Sequence, residues 1–165
     1  MTDKNLEFRK IMGSFTTGVA VVTTVENGKK VGLTVNSFTS VSLDPMLVLV
    51  SIAKHTQSHD SIRTAGMFAV SILGDSQELV STVFAGAPSE ERFRHVTTDI
   101  SSAGLPVIRD CLAWMDVRVT NIIDGGDHSI IIGEVTAMRL VNTDAEPLLY
   151  FRGRYARLAQ THAQG

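Results

Sequence analysis

The segment Lys54-His55-Thr56-Gln57-Ser58-His59 holds the densest set of groups able to do chemistry. It follows an apolar run, Met46 to Ile52, and opens a helical pattern that begins near Ser58 and runs to about Thr64. Free N–H groups at a helix start, the hydroxyls of Thr56 and Ser58 and the Lys54 ammonium together suit a phosphate. The same residues also read as an ordinary capped helix with a solvated lysine. A second segment, Thr34 to Ser42, carries six hydroxyl or amide side chains where a strand ends. Such groups can meet the donor and acceptor edge of a planar heterocycle, and they are also common in a plain strand end and turn. Asp127-His128 falls at the tip of a long hairpin, where the plain reading is a turn histidine in water.

Other chemistries find less support. His55 and His59 lie four apart, which would share one helix face, but Thr56 follows His55, so this is not H-E-x-x-H, and no third ligand follows. Solvated polar histidines at a helix start are the expectation, and no metal. Cys111 stands in an apolar strand and reads as an inert core thiol rather than a nucleophile. The chain has no G-x-G-x-x-G, no G-x-x-x-x-G-K-[ST] and no G-x-S-x-G, which argues against Rossmann, P-loop and α/β-hydrolase modes.

The elements that must position these groups are mostly strands. Leu6, Phe8, Ile11, Met12 and Phe15 form one apolar stripe on a short first helix, limited by Gly13 and Gly18. Val19 to Val25 is a β-branched strand, Asn27-Gly28 is a hairpin turn pair, and Val31 to Asn36 returns. Ser42 to Pro45 reads as a turn before the strand Met46 to Ile52, and Met67 to Leu73 is another strand. A second internal helix follows Asp75 as N-cap with Glu78 three residues on, and Leu79, Val80, Val83 and Phe84 form its apolar face. Cys111 to Ile123 and His128 to Val141 are the arms of a long hairpin joined by Asp124 to Asp127. In the first arm Ala113, Met115, Val117 and Val119 face one way, and Trp114, Asp116, Arg118 and Thr120 the other. A dozen residues span roughly 40 Å, enough to curl around a barrel. Leu148 to Tyr155 brings the count to about seven strands, so the predicted class is mainly β with added helices, a β-barrel.

The chain has 165 residues, 44% hydrophobic and 19% charged, with formal net charge −2. That suits a single domain spanning residues 1–165, ordered over about 8–157, with a frayed tail from Gln160 to Gly165. The low charge fraction suggests surface covered by a partner or second subunit. The charge balance excludes a broad nucleic-acid footprint. No apolar run approaches the ~20 residues of a membrane span, and no secretory leader is visible, so the expectation is a cytoplasmic protein.

Taken together, the segments resemble the short-chain flavin reductase family, which includes the reductase components of two-component flavin monooxygenases. The likeness runs through Gly18 to Thr24, Gly32 to Pro45, Val50 to His59, Gly104-Leu105-Pro106, Gly126-Asp127-His128 and Pro147 to Tyr155. The resemblance implies an FMN-binding split β-barrel that works as a homodimer with FMN or FAD, taking hydride from NADH or NADPH. It implies that Thr34, Val35, Asn36 and Ser37 line the isoalloxazine edge, and that Ser51, Ile52 and Ala53 run beneath the ring and ribityl chain. Lys54, Thr56 and Ser58 would hold the phosphate, with His59 close by. His128 would position the nicotinamide, and Tyr155 would stand at the same mouth. Ala53 and Lys54 depart from the asparagine and arginine frequent in relatives, and lysine offers a point charge instead of a fork. The implied activity is an NAD(P)H:flavin oxidoreductase supplying reduced flavin to a separate oxygenase. Two other readings stay open: a flavin-binding electron carrier or sensor without turnover, and a flavin enzyme for another acceptor, such as a corrinoid reductase or an oxidase of vitamin B6.

Overall fold

A computed structural model describes residues 3–159; the frayed tail expected from Gln160 onward lies outside them. In chain order the elements are α1 (Asp3–Met12), β1 (Thr17–Gly18), β2 (Ala20–Glu26), β3 (Lys29–Val35), β4 (Thr39–Leu43), β5 (Met46–Ala53), α2 (Gln57–Ala65), β6 (Met67–Ile72), α3 (Glu78–Gly86), β7 (Thr98–Ile100), β8 (Pro106–Ile108), β9 (Ala113–Gly125), β10 (His128–Leu140), β11 (Leu149–Phe151) and β12 (Arg154–Ala156).

Strands β3-β2-β6-β9-β10-β5-β4 form one antiparallel seven-stranded sheet. The Asn27-Gly28 turn joins β2 to β3 with both residues at positive φ, the geometry that matches the twist of a hairpin. The sheet curls until Ser37, just past one edge strand, reaches Ser51 on β5. Its interior is filled by Val22, Val50, Ile52, Phe68, Val117 and Ile131, fully buried. The outer face carries a second core, where Val21, Leu73, Phe84, Ile108 and Leu148 pack under α3 and the small β1-β11-β12 sheet. The β2 run is apolar on both faces because each face meets a core. The result is a mainly β fold with three α-helices, a split barrel.

Several sequence expectations are corrected. The turn read at Ser42 to Pro45 is confined to Asp44-Pro45, because Thr39–Leu43 is a strand; it is an exposed edge strand, so no apolar alternation marks it. Leu148 to Tyr155 is a hairpin, not one strand, and it pairs with β1 outside the main sheet; the turn at Arg152-Gly153 has positive φ at both residues. The helix after β6 starts through a 3-10 turn, Asp75–Gln77, whose N-cap is Gly74 and not Asp75. The Gln77 carboxamide oxygen accepts from the Gly74 N–H at 3.0 Å, doing the work expected of Glu78. Leu79 lies outside the apolar face of α3 and is 72% exposed. The apolar stripe is uncovered: Leu6, Phe8, Ile11 and Met12 on α1 are all exposed, and so is Phe15, which lies beyond the helix end.

Candidate functional site

The chemistry-bearing stretches meet at one end of the barrel. The Ser37 hydroxyl donates to the Ser51 carbonyl at 2.9 Å and accepts the Ser51 N–H at 3.0 Å. That double bond ties the end of β3 to β5. Across β5 the ladder sets Ala53 opposite His128 and Ile52 opposite Ser129. The Lys54 N–H donates to the Asp127 carbonyl at 3.0 Å, fixing the tip of the β9–β10 hairpin against the start of the turn into α2. Asn36, Ser37, Ser51, Ala53, Lys54 and His128 therefore gather from three separate parts of the chain.

Strand alternation divides their roles. Val35 and Ile52 point into the barrel interior, so only their backbone is available to a ligand. Asn36 is exposed, and Ser37, Ser51 and Ala53 are half-buried. Asn36 and Ser37 also form part of the wall of a hollow of about 930 Å³, with Phe8, Met12 and Phe15 on another wall. That volume lies within the range of small-molecule sites.

Histidine and lysine partners are specific. The Asp127 carboxylate accepts from His128 Nδ1 at 2.7 Å, which leaves Nε2 as the uncommitted ring nitrogen. This bond holds the Asp127 carboxyl below the usual carboxylate range. Lys54 Nζ pairs with Asp124 at 2.5 Å, and that bond, with a further one from the Gly126 N–H, likewise lowers the Asp124 carboxyl. Thr56 caps α2: its hydroxyl donates to the Ala53 carbonyl at 2.8 Å and accepts the His59 N–H at 3.3 Å. His59 is buried beneath the hairpin, with Nδ1 3.1 Å from Asp60 and Nε2 2.9 Å from the Ser129 hydroxyl. His55 precedes the helix, so the two histidines do not share a helix face.

Two expected members are bonded to Ser81 on α3. The Thr34 hydroxyl donates to the Ser81 carbonyl on α3 at 2.7 Å, and the Tyr155 hydroxyl lies 2.8 Å from the Ser81 hydroxyl. Tyr155 and His128 share neither a hydrogen bond nor a wall of either hollow among the described residues. Thr34 instead faces a second hollow of about 370 Å³, lined also by Thr56, Ser58, Ser89 and Arg92. Ser81 and Arg92 escaped the sequence reading. A serine set among Val80, Val83 and Phe84 was a usable signal; Arg92, on a short 3-10 turn, carried none. Cys111 is buried, and burial pushes its thiol up to about 11, which keeps it protonated near neutral pH.

Comparison with known proteins adds independent findings. The family model described as flavin reductase like domain matches residues 12–159. A probable flavin reductase of Rhizobium meliloti is 45% identical over 89% of this chain. The reductase component of a flavin-dependent trigonelline monooxygenase from Acinetobacter baylyi is 42% identical over 93%. The chain spans about half the length of these two relatives, 47% and 49%. Among solved structures, the Streptomyces globisporus NADH:FAD oxidoreductase SgcE6, in complex with NAD and FAD fragments, superposes with a TM-score of 0.90. It is 34% identical, and the match covers 96% of this chain and 94% of that one.

Proposed function

The chain belongs to the flavin reductase-like family, and from that membership we propose that it is an NAD(P)H:flavin oxidoreductase handing reduced flavin to a separate monooxygenase. The observation that carries the reading is the Ser37–Ser51 clamp together with the Ala53–His128 register, which gathers three distant stretches beside a ligand-sized hollow. The residues fit a flavin: Asn36 offers an exposed amide, and the inward turn of Val35 and Ile52 leaves their backbone free to run along a flat ring. FMN or FAD supplies the hydride acceptor and NADH or NADPH the donor, so the demanding chemistry belongs to the cofactors.

The chain's own contribution is binding, orientation and electrostatics. The backbone N–H groups of Asn36 and Ser37 lie beyond the end of β3 and suit the pyrimidine edge of the ring, where negative charge grows on reduction. Ser51, Ile52 and Ala53 form the strand beneath the ring, and the small Ala53 side chain leaves room opposite His128. His128 presents Nε2 to the nicotinamide and positions it; hydride transfer needs no base at this residue. His59, through Ser129, steadies the strand that carries His128. Lys54, Thr56 and Ser58 stand on the phosphate side, and Tyr155 acts through Ser81, which it shares with Thr34.

The active unit in this reading is a homodimer. Support comes from the uncovered apolar face of α1 and from the low charge content, since patches of this kind mark association surfaces. No helix of the described residues is long and apolar enough to cross a membrane. The test is NADH consumption in air: added FMN or FAD should raise it in proportion to enzyme. A protein that binds flavin but leaves NADH untouched would be a carrier or sensor instead.

A further inference from the structure

We propose that His59 is a positioning residue for the nicotinamide, acting through Ser129 on the strand that carries His128, and not a ligand of the flavin phosphate. The inference rests on the reductase reading above and deepens it, by giving a buried polar chain outside the ligand hollows a part in one half of the reaction only.

Ser129 stands in the inward row of β10. It pairs with Ile52, and Ile131, two residues on along the same face, lies in the barrel core. A hydroxyl only 4% exposed needs a partner there. His59 supplies it from α2, with Nε2 2.9 Å from the Ser129 hydroxyl. On the other side of the ring Nδ1 lies 3.1 Å from the Asp60 carboxylate. A carboxylate only accepts, so Nδ1 carries the hydrogen, and in the neutral imidazole Nε2 accepts from Ser129. Both ring nitrogens are thereby committed, and His59 is on the wall of neither hollow.

The helix is built to hold this ring in one place. The buried residues of α2 are Ser58, His59, Ser61 and Ile62, and only Ile62 is apolar. Apolar contact is non-directional, whereas hydrogen bonds fix an orientation. The Ser61 hydroxyl donates to Glu26 at the end of β2 at 2.7 Å. The Thr56 hydroxyl donates to the Ala53 carbonyl and accepts the His59 N–H, and Ala53 faces His128 across the ladder. The contacts close a ring, from Ala53 through Thr56, His59 and Ser129 to His128 and back to Ala53. Adjacent strand residues point to opposite faces, so His128 is presented outward while Ser129 is gripped from within. The Thr56 cap uses only the backbone of His59, and the Ser37–Ser51 clamp ties β5 to the end of β3 independently. Loss of the His59 side chain therefore loosens the nicotinamide side and spares the flavin side.

The test is NADH oxidation at saturating flavin, with fluorescence titrations of FMN and riboflavin alongside. His59→Phe keeps a ring and removes both hydrogen bonds. It should raise the KM for NADH about three- to tenfold, with kcat and both flavin affinities within about twofold. Ser129→Ala should do the same, and the double variant no more than either alone, the mark of two residues acting through one bond. His59→Gln, whose carboxamide can meet the Ser129 hydroxyl, should recover most of the loss; a role in packing alone would favour Phe over Gln. Should His59→Phe fail to fold, Ser129→Ala against Ser129→Thr, which keeps the hydroxyl, carries the test, and only alanine should raise KM. Loss of FMN affinity that spares riboflavin would put His59 on the phosphate and overturn the proposal. So would single effects that multiply in the double variant, or folded variants with the wild-type KM. Wild-type protein that oxidises no NADH with either FMN or FAD would instead sink the reductase reading itself.

Discussion

In the proposed reading His128 positions the nicotinamide. Its Nδ1 is tied to Asp127, its Nε2 is uncommitted, and Ala53 faces it across the ladder. His128→Ala should therefore raise the KM for NADH by about tenfold or more while the flavin Kd moves by less than about threefold, as expected for loss of one or two ligand hydrogen bonds. Collapse of flavin affinity at an unchanged KM would contradict this role. Cys111 makes the opposite kind of prediction, since it is buried in the second core. Its thiol ionises at about 11 in the folded chain against an ordinary 9. Below 9 neither state loses the proton. Between 9 and 11 the unfolded chain does and the folded chain does not, so stability falls as pH rises through that window. Cys111→Ala should flatten this alkaline loss in urea titrations at several pH values; an unchanged slope would contradict the assignment. At this scale the sequence made Asn36, Ser37, Thr56 and His128 legible, because polar groups at strand ends and helix starts announce themselves. It could not show that Lys54 is paired with Asp124, seventy positions away, or that Arg92 is bent back onto Gly32. Such partners are set by the fold and leave no local pattern.

Among the elements, the β9–β10 hairpin does most to place the site. Its alternation was readable from Ala113 to Val119 because Met115, Val117 and Val119 meet the barrel core while the other face carries Asp116 and the exposed Arg118. It then shifts: Ile132 pairs with Asn121 and Gly133 with Val119, so Thr120 is an extra residue in the ladder. The bulge re-aims the outer half of the hairpin, which ends in His128. Gly133 sits beside it with no room for a side chain; a Cβ would meet Val117 Cγ1 and stand 2.7 Å from the Arg118 carbonyl oxygen. Gly133→Ala should cost about 1–3 kcal/mol in urea unfolding and loosen the hairpin tip. Stability equal to wild type would show that the bulge is more pliant than this packing implies. The elements that escaped the sequence reading were those without apolar periodicity. β4 is hydroxyl-rich and lies at a sheet edge, and the three-residue strands β7 and β8 are too short to show a period.

For the whole molecule, the open question of the single chain is its uncovered surface. Phe8 is 64% and Ile11 63% exposed on α1, while the same helix buries nothing within the chain. A second copy covering this face would account for both facts. Phe8→Glu with Ile11→Glu should then convert a dimer into a monomer in sedimentation, with the circular dichroism of the chain retained. A dimer that survives both changes would place the interface elsewhere. The barrel architecture was legible in outline, since β-branched runs, turn pairs and the long hairpin all pointed to a curled antiparallel sheet. Strand order was not, because antiparallel pairing carries no sequence mark of which strand lies beside which. The central claim is that this barrel holds a flavin where NADH can reduce it. Its most direct test is absorbance of the protein with FMN, and then with FAD, during NADH addition without oxygen. The account predicts rapid bleaching of the oxidised-flavin band with at least one flavin; bound flavin that stays oxidised under both NADH and NADPH would contradict it.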